Sequence, residues 1–143
     1  MTETLIQIVD EKDNLIRGGT MDEVQFAGLW HRITGVMVQD TQSGRFLVQK
    51  VAPNPYYSGG KWNLTSTGHV DEGESYRAAA ERELREEMGI AGLDLKEWSR
   101  YQTEKSAHRA GRDRIYRRHW VVFLAETTDT LRRFIDQYAA SMR

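Results

Sequence analysis

Residues 68–90 read Gly68-His69-Val70-Asp71-Glu72-Gly73-Glu74-Ser75-Tyr76-Arg77-Ala78-Ala79-Ala80-Glu81-Arg82-Glu83-Leu84-Arg85-Glu86-Glu87-Met88-Gly89-Ile90. The first part is a polar, glycine-punctuated loop. Ser75 then offers a cap for a helix rich in Ala, Glu, Arg and Leu, Gly89 supplies a left-handed stop, and Ile90 offers the apolar contact beyond it. With 100° per residue and Glu83 at zero, Glu87 falls at about 40°, Glu86 at about −60°, Ala79 at about −40° and Ala80 at about 60°. Three carboxylates thus share a face with two alanines. Like charges at these spacings weaken a bare helix, so the cluster makes physical sense if a hard divalent cation neutralises it. Oxygen-only donors favour Mg²⁺ or Mn²⁺, and the small alanines leave room for the loop at His69–Glu74 to lie close. A solvated face laced with pairs such as Arg82 and Glu86 is the plainer reading of the same charges.

Outward from this stretch, strands and helices alternate. Leu5–Val9 and Leu15–Arg17 flank an Asp/Asn-rich reversal and predict an N-terminal β-hairpin; Thr20 with Asp22 and Glu23 predicts a short helix before His31. Ile33–Val38 and Phe46–Val48 read as strands around a polar turn. Val51–Lys61 is a loop by composition, and Trp62–Thr65 resumes as a short strand. After the helix, Leu93–Thr103 and Arg114–Ala125 read as strands around a polar loop, and Leu131, Phe134, Ile135 and Tyr138 stand at helical spacing. The class is mixed α and β.

Length and composition limit the alternatives. The 143 residues suit one compact domain spanning 1–143, with 39% hydrophobic and 29% charged residues close to globular averages. Twenty Lys+Arg against twenty-one Asp+Glu leave a net charge of −1, so no nucleic-acid or membrane-surface partner is expected. Cysteine is absent, which excludes disulfides, thiolate metal sites and a cysteine nucleophile and agrees with a cytoplasmic setting. No leader or membrane-spanning segment is read from the sequence.

Gly68, five residues, Glu74, seven residues, and then Arg82-Glu83-Leu84-Arg85-Glu86-Glu87-Met88-Gly89-Ile90 resembles the Nudix box at every defined position. The resemblance implies an α/β/α sandwich with a mixed central sheet and hydrolysis of a phosphoanhydride bond in a nucleoside diphosphate linked to another moiety. It also implies Glu83, Glu86, Glu87 and the Gly68 carbonyl as ligands of Mg²⁺ or Mn²⁺. Glu74 and Arg82 would hold the loop on the helix, and a homodimer is the family expectation. The general base is a box glutamate, Glu83 first, or a later carboxylate such as Glu104. A domain that keeps the box but only senses a nucleotide, or scaffolds another protein, is the alternative.

Residues 29–32 and the run from Trp62 to His69 are similar to the isopentenyl-diphosphate isomerase branch. That branch's catalytic cysteine would fall at Thr67 and its paired glutamates around Tyr116 and Arg118, so the isomerase groups are missing. His31 and His69 match two of its metal-binding histidines, although either also reads as a histidine bonded within the fold. Another departure from the family pattern is the short passage from Ala125-Glu126 to Leu131, where an acidic connection and a further strand are usual. Finally Arg109, Arg112 and Arg114, with Lys105, Arg117 and Arg118 nearby, form a cationic stretch suited to substrate phosphates or to a solubilising face. Arg114 and Arg118 share a strand parity that Arg117 does not. Trp62, Tyr56, Tyr57 and Phe26 are candidates for stacking on a base, with core or loop packing the plainer role for each.

Overall fold

Both edges of one strand, β3 (Trp30–Asp40), are used along most of its length. On one side it runs parallel to β9 (Arg112–Thr127), from Trp30 beside Arg117 to Asp40 beside Thr127. On the other side three short strands succeed one another antiparallel to it. These are β1 (Ile6–Val9) at His31, β7 (Ser66–His69) at residues 33–36 and β4 (Phe46–Leu47) at residues 38–39. β2 (Leu15–Gly19) pairs with β1, and β8 (Leu95–Arg109) pairs with β9. The computed structural model describes residues 4–53, 60–109 and 111–141, and within them the sheet has seven strands in the order β2-β1-β3-β9-β8 with β4 and β7 alongside β3. One parallel pair among antiparallel ones makes the sheet mixed, as expected.

Alternation along β3 and β9 supplies the apolar face that the helices cover. Val36, Val38, Val121, Phe123 and Ala125 form one core with Ala80, Leu84 and Met88 of α2 (Tyr76–Met88) and Phe134 of α3 (Leu131–Ser141). Truncating a buried leucine such as Leu84 to alanine costs about 2–5 kcal/mol in a core of this kind. A second cluster joins Val24 of α1 (Met21–Ala27) to Ile6 and Ile8, so the short helix seats on the N-terminal hairpin. Thr20 caps it, its Oγ1 accepting from Glu23 N at 3.1 Å. The hairpin is tied to the rest by Asp13: Arg32 Nε donates to Asp13 Oδ1 at 2.7 Å, and Tyr76 donates its hydroxyl to the same carboxylate.

α2 starts and stops as its sequence dictates. Ser75 Oγ accepts from Ala78 N at 3.0 Å. Gly89 adopts φ 69°, its N–H reaches Arg85 O at 2.9 Å, and the Ile90 N–H reaches back to Leu84 O at 3.4 Å, while the Ile90 side chain is buried. The Gly89 bond is the 5→1 bond of the left-handed cap, and the buried Ile90 side chain completes it with an apolar contact.

Two expectations are corrected. The strand expected at Trp62–Thr65 is only Trp62–Asn63 (β6), paired with Gln49–Lys50 (β5) in a separate ribbon. Thr65 leaves the strand pattern because its hydroxyl is buried, donating to Leu47 O and accepting from Val38 N. The polar loop expected between Thr103 and Arg114 is instead an extension of the β8–β9 hairpin, paired as far as Arg109 beside Arg112. Its residues project beyond the core, so the pleat carries charge on both faces and shows no apolar alternation. Tyr56 and Tyr57 lie outside the described residues, as does the Arg109 side chain. No helix among the described residues is long and apolar enough to cross a membrane.

Candidate active site

Register places the loop-helix stretch at the centre of the sheet. Gly68 stands beside Thr34, which stands beside Val121, and α2 crosses above this row. On α2, Ala79 and Ala80 are fully buried, and Glu83 and Glu87 fall within the arc that the two alanines and Leu84 bury. Glu86 lies at the rim of that arc. Side-chain exposure follows the same order, 17% for Glu83 against 57% for Glu86.

Glu83 packs against the backbone of Gly68 so closely that a β-carbon there would overlap its carboxylate. Glu87 accepts from Thr67 N at 3.0 Å through Oε1 and from Gln49 Nε2 at 3.2 Å through Oε2. Burial, reinforced by the Glu87 and Glu86 charges and opposed by Arg82, raises the pKa of Glu83 above the ordinary carboxylate value.

Arg82 organises the loop. Its Nε and Nη2 bond Glu74 at 2.8 and 3.0 Å, Nη2 also reaches His69 O at 3.0 Å and Asp71 at 3.2 Å, and Nη1 donates to Glu83 at 2.7 Å and to Glu86 at 3.2 Å. Such a fork holds both ends of the loop on the helix, and it lowers the Glu74 pKa through the direct hydrogen bond. Gln7 completes the brace from β1, donating to Asp71 O at 3.0 Å while its Oε1 accepts from Arg32 at 2.8 Å. Sequence reading missed Gln7, because nothing local marks a glutamine that bonds residues more than sixty positions away.

Glu83, Glu87, Gly68 and His69 line a cleft of about 510 Å³ together with Arg118 and Trp120. Among the described residues no group of three or more His, Asp or Glu side chains is poised to hold a metal ion, since Glu86 turns to Arg82. The donor chemistry still suits a hard cation. Two partly buried carboxylates and a close-lying glycine backbone offer oxygen donors and no soft ones, and the absence of a side chain at Gly68 is what lets the Glu83 carboxylate lie against it.

The remaining candidates are dispersed. His31 is fully buried and stacks on His69 with ring centroids 5.5 Å apart; Nε2 of each finds no hydrogen-bond partner among the described residues. Burial lowers their pKa values, to about 4 for His31 and about 3 for His69, so both rings are neutral at pH 7. Glu104 lies apart from the cleft-lining residues. It lies across the hairpin from Arg117 and pairs with Arg117 Nε at 2.7 Å, one position out of phase with the cleft-lining Arg118. Arg112 and Arg114 flank the Phe26 ring, at 3.3 and 4.7 Å from its centroid, so Phe26 packs on guanidinium groups. Trp62 is 68% exposed and sits under Lys50.

Comparison with known proteins agrees with this geometry. An uncharacterized Nudix hydrolase of Yersinia pestis is 35% identical over 104 residues, 73% of this chain and 57% of that protein. An isopentenyl-diphosphate Delta-isomerase of Serratia proteamaculans is 43% identical over 91 residues, 64% of this chain and 50% of that protein. The chain therefore spans little more than half the length of these curated relatives. The crystal structure of the DR0079 protein from Deinococcus radiodurans shares the fold, with a TM-score of 0.64 at 14% identity over 88% of this chain and 74% of that one. The family model of the NUDIX domain matches residues 29–137, from the end of α1 into α3 and across the whole braced loop and helix, and by that match the chain belongs to the Nudix family.

Proposed function

We propose that this chain is a pyrophosphohydrolase, dependent on Mg²⁺ or Mn²⁺, that cleaves a phosphoanhydride bond in a small nucleotide-like diphosphate. The observation that carries this reading is the pairing of Glu83 and Glu87 over Gly68 in an open cleft that also holds Arg118. Nudix proteins in general use divalent cations. Glu83, Glu87 and the Gly68 carbonyl would hold the ion, with Glu86 joining on release from Arg82. When bound, the cation supplies a Lewis acid that offsets charge developing on phosphate oxygens.

The chain's own residues do the rest. Glu83, the less exposed carboxylate and the one packed on the Gly68 backbone, is the first candidate to accept the proton of an attacking water. Glu87 stays oriented by Thr67 N–H and Gln49. Arg118 meets a phosphate oxygen in the same cleft, and the Arg82–Glu74 fork keeps loop and helix from parting as charge moves between them.

Similarity to isomerases does not carry their reaction here. Thr67 stands where that branch has its cysteine, and it offers its backbone N–H to Glu87. The test is phosphate or nucleotide release from nucleoside di- and triphosphates, nucleotide sugars and dinucleoside polyphosphates, with and without Mg²⁺ or Mn²⁺. Metal-dependent release that falls by about 10²–10⁴-fold in Glu83→Gln supports the reading. Tight binding of one nucleotide with no turnover of any would replace it with the sensor.

A further inference from the structure

A second concavity, of about 520 Å³, opens beside the first, and Met21 and Arg118 line both. Its floor is one face of the β8–β9 hairpin. Thr103 pairs with Arg118, Lys105 with Tyr116 and Ala107 with Arg114, so all of these side chains share one side of the pleat. Arg117 and Glu104 occupy the other side and neutralise each other there. The opposite wall is α1, which contributes Met21, Asp22 and Gln25.

Among the described lining residues Lys105, Arg114 and Arg118 stand together beside one carboxylate, Asp22. Arg114 is 6% exposed and is held in place by Gln25, whose Oε1 accepts from Nη1, and by the Phe26 ring. The Arg118 guanidinium is steadied over Tyr116 at 4.7 Å. These contacts hold the guanidinium groups in place for a bound anion. A phosphate monoester carries about −1.5 to −2 charges near pH 7 and accepts several hydrogen bonds, which suits a pocket that gathers two guanidinium groups and an ammonium.

Position fixes which part of a ligand reaches this pocket. Val121 lies in the row of Gly68, and Arg118 and Arg114 lie three and seven residues before it on β9. At 3.3 Å per residue the Arg118 backbone lies roughly 10 Å from that row, the reach of a nucleoside beyond a diphosphate, and the long Arg114 and Lys105 side chains line the same pocket from farther along the hairpin. We infer that this pocket binds a second phosphate, a monoester carried on the nucleoside half of the substrate and remote from the cleaved bond. The inference rests on the hydrolase reading above only for the word substrate; the pocket itself can be tested by binding.

Two arms separate them. In the first, isothermal calorimetry compares adenosine 2′,5′-bisphosphate and adenosine 3′,5′-bisphosphate with AMP and with inorganic phosphate. One bisphosphate is expected to bind about tenfold tighter than AMP, and Lys105→Ala or Arg114→Gln to remove most of that gap. Lys105 is exposed, so its variant tests the pocket even if the buried Arg114 proves necessary for folding. In the second, kcat/KM is compared within NADPH and NADH, and within coenzyme A and its dephospho form. The ratio within a pair should favour the phosphorylated member and fall toward one in Lys105→Ala, through KM; partial unfolding would lower both members alike. Equal affinity for AMP and both bisphosphates, or inorganic phosphate binding as tightly as either bisphosphate, would overturn the assignment. Bisphosphate preference with no turnover of any nucleotide would keep the pocket and remove the hydrolase.

Discussion

Glu83 and Gly68 are packed so that the carboxylate of one fills the space where a β-carbon of the other would be. The glycine at the head of the Nudix box is thus a steric requirement of the glutamate fifteen residues later. Gly68→Ala should leave the sheet paired, since β7 is bonded through its backbone, and should push Glu83 out of the cleft. A displacement of about 1 Å in such a site costs about 10²-fold in rate. Turnover in the presence of Mg²⁺, measured beside the circular-dichroism spectrum, checks this; an active alanine variant would contradict it.

Arg82 serves more acceptors than a lysine can reach. Replacing it by methionine strands Glu74 and Asp71 in the loop and should destabilise the fold by about 2–3 kcal/mol, read as a lower urea midpoint at unchanged slope. Arg82→Lys should recover only part of this, because the bidentate geometry to Glu74 is lost.

The same pair sets a pH limit. The folded-state pKa of Glu74 lies below its unfolded value, so its contribution is complete above the ordinary glutamate range and disappears as pH falls through the depressed folded value. Stability in urea should decline below about pH 4.5, and Glu74→Gln should be less stable at pH 7 but flatter across that window.

His31 imposes a second, higher limit. Burial lowers its pKa to about 4 from 6.5, so the unfolded chain takes up a proton between these values and the folded chain does not. Stability from this ring is complete above about pH 6.5 and lost as pH falls toward 4, at about 1.4 kcal/mol per pH unit. Denaturation at pH 7, 6 and 5 should show the decline, and His31→Phe should reduce it. An identical slope in the variant would show that His31 is not its source.

At the start of α2 the cap is a single hydroxyl. Ser75→Ala should cost about 1 kcal/mol, visible as a lower melting temperature, with Ser75→Asp restoring most of it.

How far these features could be read in the chain depended on how local their causes were. α2, with Ser75, Gly89 and Ile90, follows from chemistry within a few residues, and the structure places its ends where the caps predict. The split between Glu83 and Glu86 was only half visible: the angles put both on one face, and it took the burial of Ala79 and Ala80 to show that the face ends between them. The β8–β9 extension was hidden because a hairpin that leaves the core loses the alternation by which strands are recognised. Gln7, and Asp13 beneath Arg32 and Tyr76, act across the chain and have no local signature.

The hairpin extension has one more consequence. Lys105 and Ser106 are exposed and take no part in the apolar core, so side chains there can be exchanged at about ±0.5 kcal/mol each. The braced loop and α2 tolerate no such freedom. With the pocket inferred above, ligand preference would drift without endangering foldedness, and chains that keep the same braced loop and helix would be free to diverge in what they accept simply by rewriting one protruding ribbon.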